Sequence, residues 1–113
     1  MFNFTEKTRT YTDLHSDAFE KELKKNGNAV LLDVRTAEEF RSEKIPGAIN
    51  IDVARQDFYT RVSQLDKSKD YFVYCRSGNR SGYACSILAS KGLHCYNLAG
   101  GIIGWDGEIE ERG

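Results

Sequence analysis

Two uninterrupted apolar runs, Ala29-Val30-Leu31-Leu32 and Tyr71-Phe72-Val73-Tyr74, do most to restrict what this chain can fold into. A strand with one face in water alternates apolar and polar residues, whereas a run with no polar member is covered on both faces. Such strands belong in a sheet with helices on either side, and the flanking segments supply them. Asp17-Ala18-Phe19-Glu20 has the form of a capping box, with Phe19 and Leu23 one turn apart and a stop at Asn26-Gly27. Thr36-Ala37-Glu38-Glu39 is a second capping box and opens a short helix carrying Phe40. Phe58, Val62 and Leu65 recur at helical spacing. Ser81 to Ser90 forms a helix with Ala84, Ile87 and Leu88 on one face, stopped by Lys91-Gly92.

The remaining segments complete the alternation. Thr8 to Thr12 alternates weakly, as an edge strand can. Pro46-Gly47 marks a turn before a strand from Ala48 to Ile51. His94 to Leu98 is a last strand, Ala99-Gly100-Gly101 a tight turn, and Ile102 to Ile109 a last helix. Strands alternating with helices imply parallel pairing in an α/β sheet covered on both faces. In such sheets ligands bind beyond the carboxyl ends of the strands. Asp33 and Cys75 both lie at such ends, so one edge carries both. With 113 residues the chain makes one compact domain, residues 10–113, behind an N-terminal extension of residues 1–9.

Cys75-Arg76-Ser77-Gly78-Asn79-Arg80 joins a strand end to a helix N-terminus. Free backbone N–H groups and the positive end of the helix macrodipole meet there, so a thiolate or small anion can be held without burying an unpaired charge. A cysteine in this position has a depressed pKa and acts as a nucleophile. Backbone N–H groups of residues 76 to 80 can converge on one centre as an anion nest, and Gly78 permits the unusual φ of a tight cradle. Composition directs attention to the same loop. Net charge is −1, from 16 basic and 17 acidic residues, which gives no reason to expect nucleic acid or an anionic membrane as partner. Positive potential is therefore local, at Arg76 and Arg80. The three cysteines, Cys75, Cys85 and Cys95, form neither a disulfide framework nor a metal-ligand pattern, so no metal and no cofactor is expected. Reduced thiols, no membrane-length apolar stretch and an N-terminus too polar for a secretory signal make a cytoplasmic protein the expectation.

Four segments in order resemble the rhodanese-like sulfurtransferases: Leu32-Asp33-Val34-Arg35 with Glu38-Glu39-Phe40; Ile45-Pro46-Gly47-Ala48-Ile49-Asn50-Ile51; Val73-Tyr74-Cys75-Arg76-Ser77-Gly78-Asn79-Arg80-Ser81; and Leu98-Ala99-Gly100-Gly101-Ile102 with Trp105. The likeness spans about residues 10 to 110. It implies a three-layer α/β/α domain with a five-stranded parallel sheet. It also implies a catalytic Cys75 that carries sulfane sulfur as a persulfide, taken from thiosulfate or another small donor and passed to cyanide, a thiol or a protein acceptor. Lys44 departs from the family, which often has histidine there; the position is outside the family's catalytic residues.

Within that resemblance the residues take the following expected roles. Arg76 faces solvent and docks an anionic leaving group. Arg80 points either toward the bound anion or inward, to pair with Asp33 or Glu38. Ser77 and Ser81 donate hydroxyl bonds to sulfur or cap the helix, and Gly78 and Asn79 complete the substrate loop. Asp33 and Arg35 brace the sheet edge as scaffold. Cys85, Cys95, Phe72, Tyr74, Tyr96 and Trp105 are packing residues, and His15 and His94 have no assigned role. Two alternatives stand beside this reading. Cysteine phosphatases and arsenate reductases use a similar loop, but with five residues between cysteine and arginine where this chain has four. A non-catalytic protein-interaction module is the other; many such domains have lost the cysteine, and this one keeps it.

Overall fold

The computed structural model describes residues 11–112. In chain order the elements are β1 (Tyr11–Leu14), α1 (Ser16–Lys25), β2 (Ala29–Asp33), α2 (Ala37–Ser42), β3 (Glu43–Lys44), β4 (Ile49–Asn50), α3 (Phe58–Ser63), β5 (Asp70–Tyr74), α4 (Asn79–Ser90), β6 (His94–Leu98), a 3-10 turn (Ile102–Gly104) and β7 (Glu110–Glu111). Five strands form one sheet in the order β1-β6-β5-β2-β4, every pairing parallel. The two apolar runs are neighbours at its centre, with Leu31 opposite Phe72 and Leu32 opposite Val73.

Period-two alternation divides the core between the two faces. Leu31, Phe72, Tyr74 and Leu98 pack with Phe19 of α1 and Ile102 on one side. Leu32, Val34, Val73, Cys75 and Cys95 pack with Phe58 and Val62 of α3 and with Ala84, Cys85 and Leu88 of α4 on the other. Polar side chains would be unpaired on either face of the central strands, which is why both runs are apolar throughout.

Several expectations need correction. The Asp17 capping box does not form: α1 starts two residues earlier, His15 occupies the cap position, and no side chain caps it. The Ser16 hydroxyl instead accepts from the Asp106 N–H at 2.9 Å, tying the helix start to the C-terminal segment. The Thr36 box is present, with both reciprocal bonds made. The strand from Ala48 to Ile51 shrinks to Ile49–Asn50. The last helix is only the 3-10 turn, after which Trp105 is extended and its indole N–H donates to the Glu108 carbonyl at 2.9 Å. Gly107 lies so close beneath the indole ring that no side chain fits there. This ring–backbone packing replaces a helical turn. Beyond it β7 pairs antiparallel with β3, a ribbon whose two-residue strands are too short to register as periodicity. The weak alternation proposed for Thr8 to Thr12 lies largely outside the described residues, as does the extension 1–9; the observed edge strand is Tyr11–Leu14.

Candidate active site

Cys75 follows the last residue of β5 and is 1% exposed, a thiol with little access to water. Its Sγ accepts three hydrogen bonds: from the Gly78 N–H at 3.1 Å, the Ser81 N–H at 3.3 Å and the Ser81 hydroxyl at 3.3 Å. Burial alone pushes the thiol pKa up. The Ser81 hydroxyl and the N–H groups of Ser81, Gly78 and Ser77 together outweigh it, leaving the pKa below the ordinary thiol value. The nest is therefore built from residues 77, 78 and 81, at the start of α4 and in the turn before it.

Backbone geometry makes the nest, and the Leu98–Ile102 segment locks it. Gly78 has φ +103°, and a Cβ there would run into the Ala99 carbonyl. Gly101 has φ +65° and lies against the Arg76 carbonyl with no room for a side chain. From that position the Ile102 N–H donates to the Cys75 carbonyl at 2.9 Å and the Ile103 N–H to the Arg76 carbonyl at 3.2 Å. The loop is clamped by a segment distant in sequence, and both glycines are needed for the close approach.

The two arginines part company. Arg76 is exposed at the loop surface. Arg80 is half-buried and turns neither to the thiol nor to Asp33 or Glu38. Its Nη1 and Nη2 donate to Oε1 and Oε2 of Glu39 at 2.9 and 3.0 Å. Hydrogen bonding to Glu39 raises its pKa, with the charges of Cys75 and Asp52 contributing at longer range. Glu38 is excluded by helical phase: Glu39 is the N3 residue of α2 and already faces back toward Thr36, while Glu38 is exposed. Asp33 is excluded because Arg35 saturates it, through Nε at 3.0 and 3.1 Å and Nη2 at 2.7 Å.

Asp33 and Arg35 are both buried, and the donors to Sγ come from Gly78 and Ser81 rather than from Arg35. Arg35 Nη2 also donates to the Glu43 carbonyl at 2.6 Å, and its guanidinium lies 5.6 Å from the Tyr74 ring centre. Burial opposes the charge of Arg35, but the bond to Asp33 and that carboxylate's field leave its pKa raised. The pair holds the chain where β2 leaves the sheet. Ser77 and Asn79 are exposed, and Ser77 contributes its backbone rather than its hydroxyl. Cys85 and Cys95 are buried under α4, Cys95 Sγ 3.6 Å from the Cys85 carbonyl. The side-chain hydrogen bond shared with Cys95, together with burial, pushes the Cys85 thiol far up, away from thiolate chemistry.

Two residues at the site escaped the sequence reading. Glu39 was legible as a capping residue and as part of the segment that carries the resemblance, but not as the partner of Arg80. Asn97, in β6, donates through Nδ2 to Asp13 Oδ1 at 2.9 Å and to the Gly78 carbonyl at 3.4 Å, bracing the loop from beneath. Nothing in the apolar pattern of that strand marks it. Among the described residues no group of His, Cys, Asp and Glu is arranged to hold a metal.

The comparisons with known proteins concern the family and the fold. The family model for the rhodanese-like domain matches residues 16–108. A sulfurtransferase of Allochromatium vinosum is 34% identical over 94 residues, 82% of this chain and 86% of that protein. The thiosulfate sulfurtransferase PspE of Escherichia coli is 35% identical over 71 residues, 63% of this chain and 68% of that protein. The crystal structure of a rhodanese-related protein from Thermoplasma volcanium superposes with a TM-score of 0.78 at 27% identity, covering 88% of this chain and 98% of that one. The matched span contains the cysteine loop, the Glu39 helix and the Gly101 clamp, and on it the chain belongs to the rhodanese-like domain family.

Proposed function

We propose that this protein is a sulfurtransferase that accepts sulfane sulfur on Cys75 as a persulfide and delivers it to a thiophilic acceptor. The observation that carries the reading is the Sγ of Cys75 under three converging donors within 3.3 Å, in a loop with an exposed arginine beside it. The named activities of the relatives point the same way.

In the first half of the cycle the Cys75 thiolate attacks the outer sulfur of the donor. A new S–S bond forms, the donor's own S–S bond breaks, and its electron pair leaves with the anion, sulfite when thiosulfate is the donor. The product is Cys75-S-S⁻. In the second half cyanide or a thiolate attacks that outer sulfur and the Cys75 thiolate departs. The Ser81 hydroxyl and the N–H groups of Ser81 and Gly78 hold the thiolate at both ends of the cycle. Charge-assisted hydrogen bonds of this kind are roughly twice as strong as neutral ones. Arg76 stands at the solvent face, where an anionic leaving group exits. The acceptor is a small thiol, cyanide or a cysteine of another protein.

Exposure to thiosulfate should add about 32 Da to Cys75, one sulfur atom, and cyanide should remove it. Intact-mass and peptide mass spectrometry read both steps. An adduct on Cys85 or Cys95, or none on a reduced and folded protein, refutes the assignment.

A further inference from the structure

Arg80 ends the loop that holds Cys75 Sγ, yet its guanidinium is paired with a carboxylate. Its two Nη atoms meet the two oxygens of Glu39 at 2.9 and 3.0 Å, fork against fork. Oε1 of the same carboxylate accepts from the Thr36 N–H and hydroxyl, each at 3.1 Å, so capping of α2 holds Glu39 from its other side. Asp52 adds a second negative charge within electrostatic range of Arg80. Arg76 is exposed, and among the described residues it has no carboxylate partner. Among the described residues the loop therefore presents one unpaired cation, although its sequence contains two.

We propose that Glu39 is a specificity-determining residue: by clamping Arg80 it leaves one cation at the Cys75 loop and matches the site to sulfane-sulfur donors whose leaving group carries a single negative charge, a sulfinate or a thiolate. The inference rests on the sulfur-transfer reading and names the donor class for that site. Thiosulfate, which expels doubly charged sulfite, is then a poorer fit than a donor one charge lower.

Two small donors separate charge from chemistry. Thiosulfate carries two charges and methanethiosulfonate one; both present a terminal sulfane sulfur on a sulfonyl sulfur. Cys75 attacks that terminal atom in each, the S–S bond breaks, and the electron pair leaves with sulfite or with methanesulfinate. No oxidant or reductant enters either step. Glu39→Gln removes the negative charge while keeping a residue that a capping box accepts at this position. Thr36→Ala disturbs the cap and leaves the Arg80 partner charged.

The measurement is kcat/KM for each donor with cyanide as acceptor, in the wild type, E39Q, T36A and the double variant E39Q/R80A. The ratio of the two donors is independent of how much protein is folded. In E39Q the thiosulfate-to-methanethiosulfonate ratio should rise about tenfold, chiefly through a lower KM for thiosulfate. In T36A it should stay within about twofold of the wild type, and adding R80A to E39Q should abolish the gain. An unchanged ratio in E39Q, an equal rise in T36A, or a gain that survives R80A overturns the clamp. If both donors load Cys75 and the ratio does not move, only the clamp fails. If neither loads wild-type Cys75, the sulfur-transfer reading fails and takes the clamp with it.

Discussion

Cys75 combines two properties that ordinarily oppose each other, burial and a lowered pKa. Desolvation raises the cost of the thiolate, and only donors already aimed at Sγ recover it. The Ser81 hydroxyl is the one side-chain donor among them. Ser81→Ala keeps the backbone N–H in place and removes that single bond. The midpoint of Cys75 alkylation against pH should then rise by about half to one unit. An unmoved midpoint would mean that the hydroxyl donates elsewhere and that the backbone alone sets the thiolate. All three thiols are buried, so peptide mass spectrometry assigns the alkylated site and separates Cys75 from Cys85 and Cys95. A cysteine at a strand end before a helix was legible as a sulfur that backbone donors would surround. Which of Ser77 and Ser81 bonds the sulfur was not, because that depends on where the first turn of α4 begins.

The Leu98–Ile102 segment closes over the strand–loop–helix unit of β5 and α4 and hydrogen-bonds its loop. Gly101 is the contact point, with φ +65° and its Cα against the Arg76 carbonyl. Gly101→Ala should cost more than about 2 kcal/mol in denaturant unfolding, since both the positive φ and the missing space count against it. It should also lower the rate of Cys75 persulfidation in the fraction that remains folded. A substitution that leaves both unchanged would show that the loop does not need this clamp. Lone glycines are poor sequence signals, and the tight turn expected at Ala99-Gly100-Gly101 gave no hint of what it would press against. The C-terminal helix was overread for a related reason. Ile102 to Ile109 carries apolar residues at helical spacing, but Trp105 finds its partner in a folded-back backbone rather than along a helix.

Across the molecule, the Glu39–Arg80 pair joins α2 to α4 over the carboxyl edge of the sheet. Hydrogen bonding to Arg80 lowers the Glu39 pKa from 4.5 to about 2. A carboxylate whose pKa falls on folding adds stability above its unfolded value and loses it as pH drops through the folded one. The stability gap between wild type and E39Q should therefore be constant above about pH 4.5 and close between there and about pH 2. Both side chains are about one-third exposed, so the gap should also narrow with salt. Chemical denaturation at several pH values reads this directly, and a gap that persists at low pH would assign the pair no electrostatic role.

Local information was enough for the class of fold and for the place of the hydrogen-bonded cysteine loop. Continuous apolar runs demand cover on both faces, and a cysteine between such a strand and a helix has its donors within six residues along the chain. The Thr36 capping box is equally local, a matter of four adjacent residues. The partners of Arg80, the clamp at Gly101, the brace from Asn97 and the β3–β7 ribbon arise between segments far apart in sequence. Their energetics depend on helical phase, on backbone approach and on which carboxylate is already saturated, none of which a linear pattern contains. Among the described residues, tertiary structure thus decided that the loop's two arginines are one unpaired charge and one clamped charge, because Asp33 was taken by Arg35 and Glu39 was left facing Arg80.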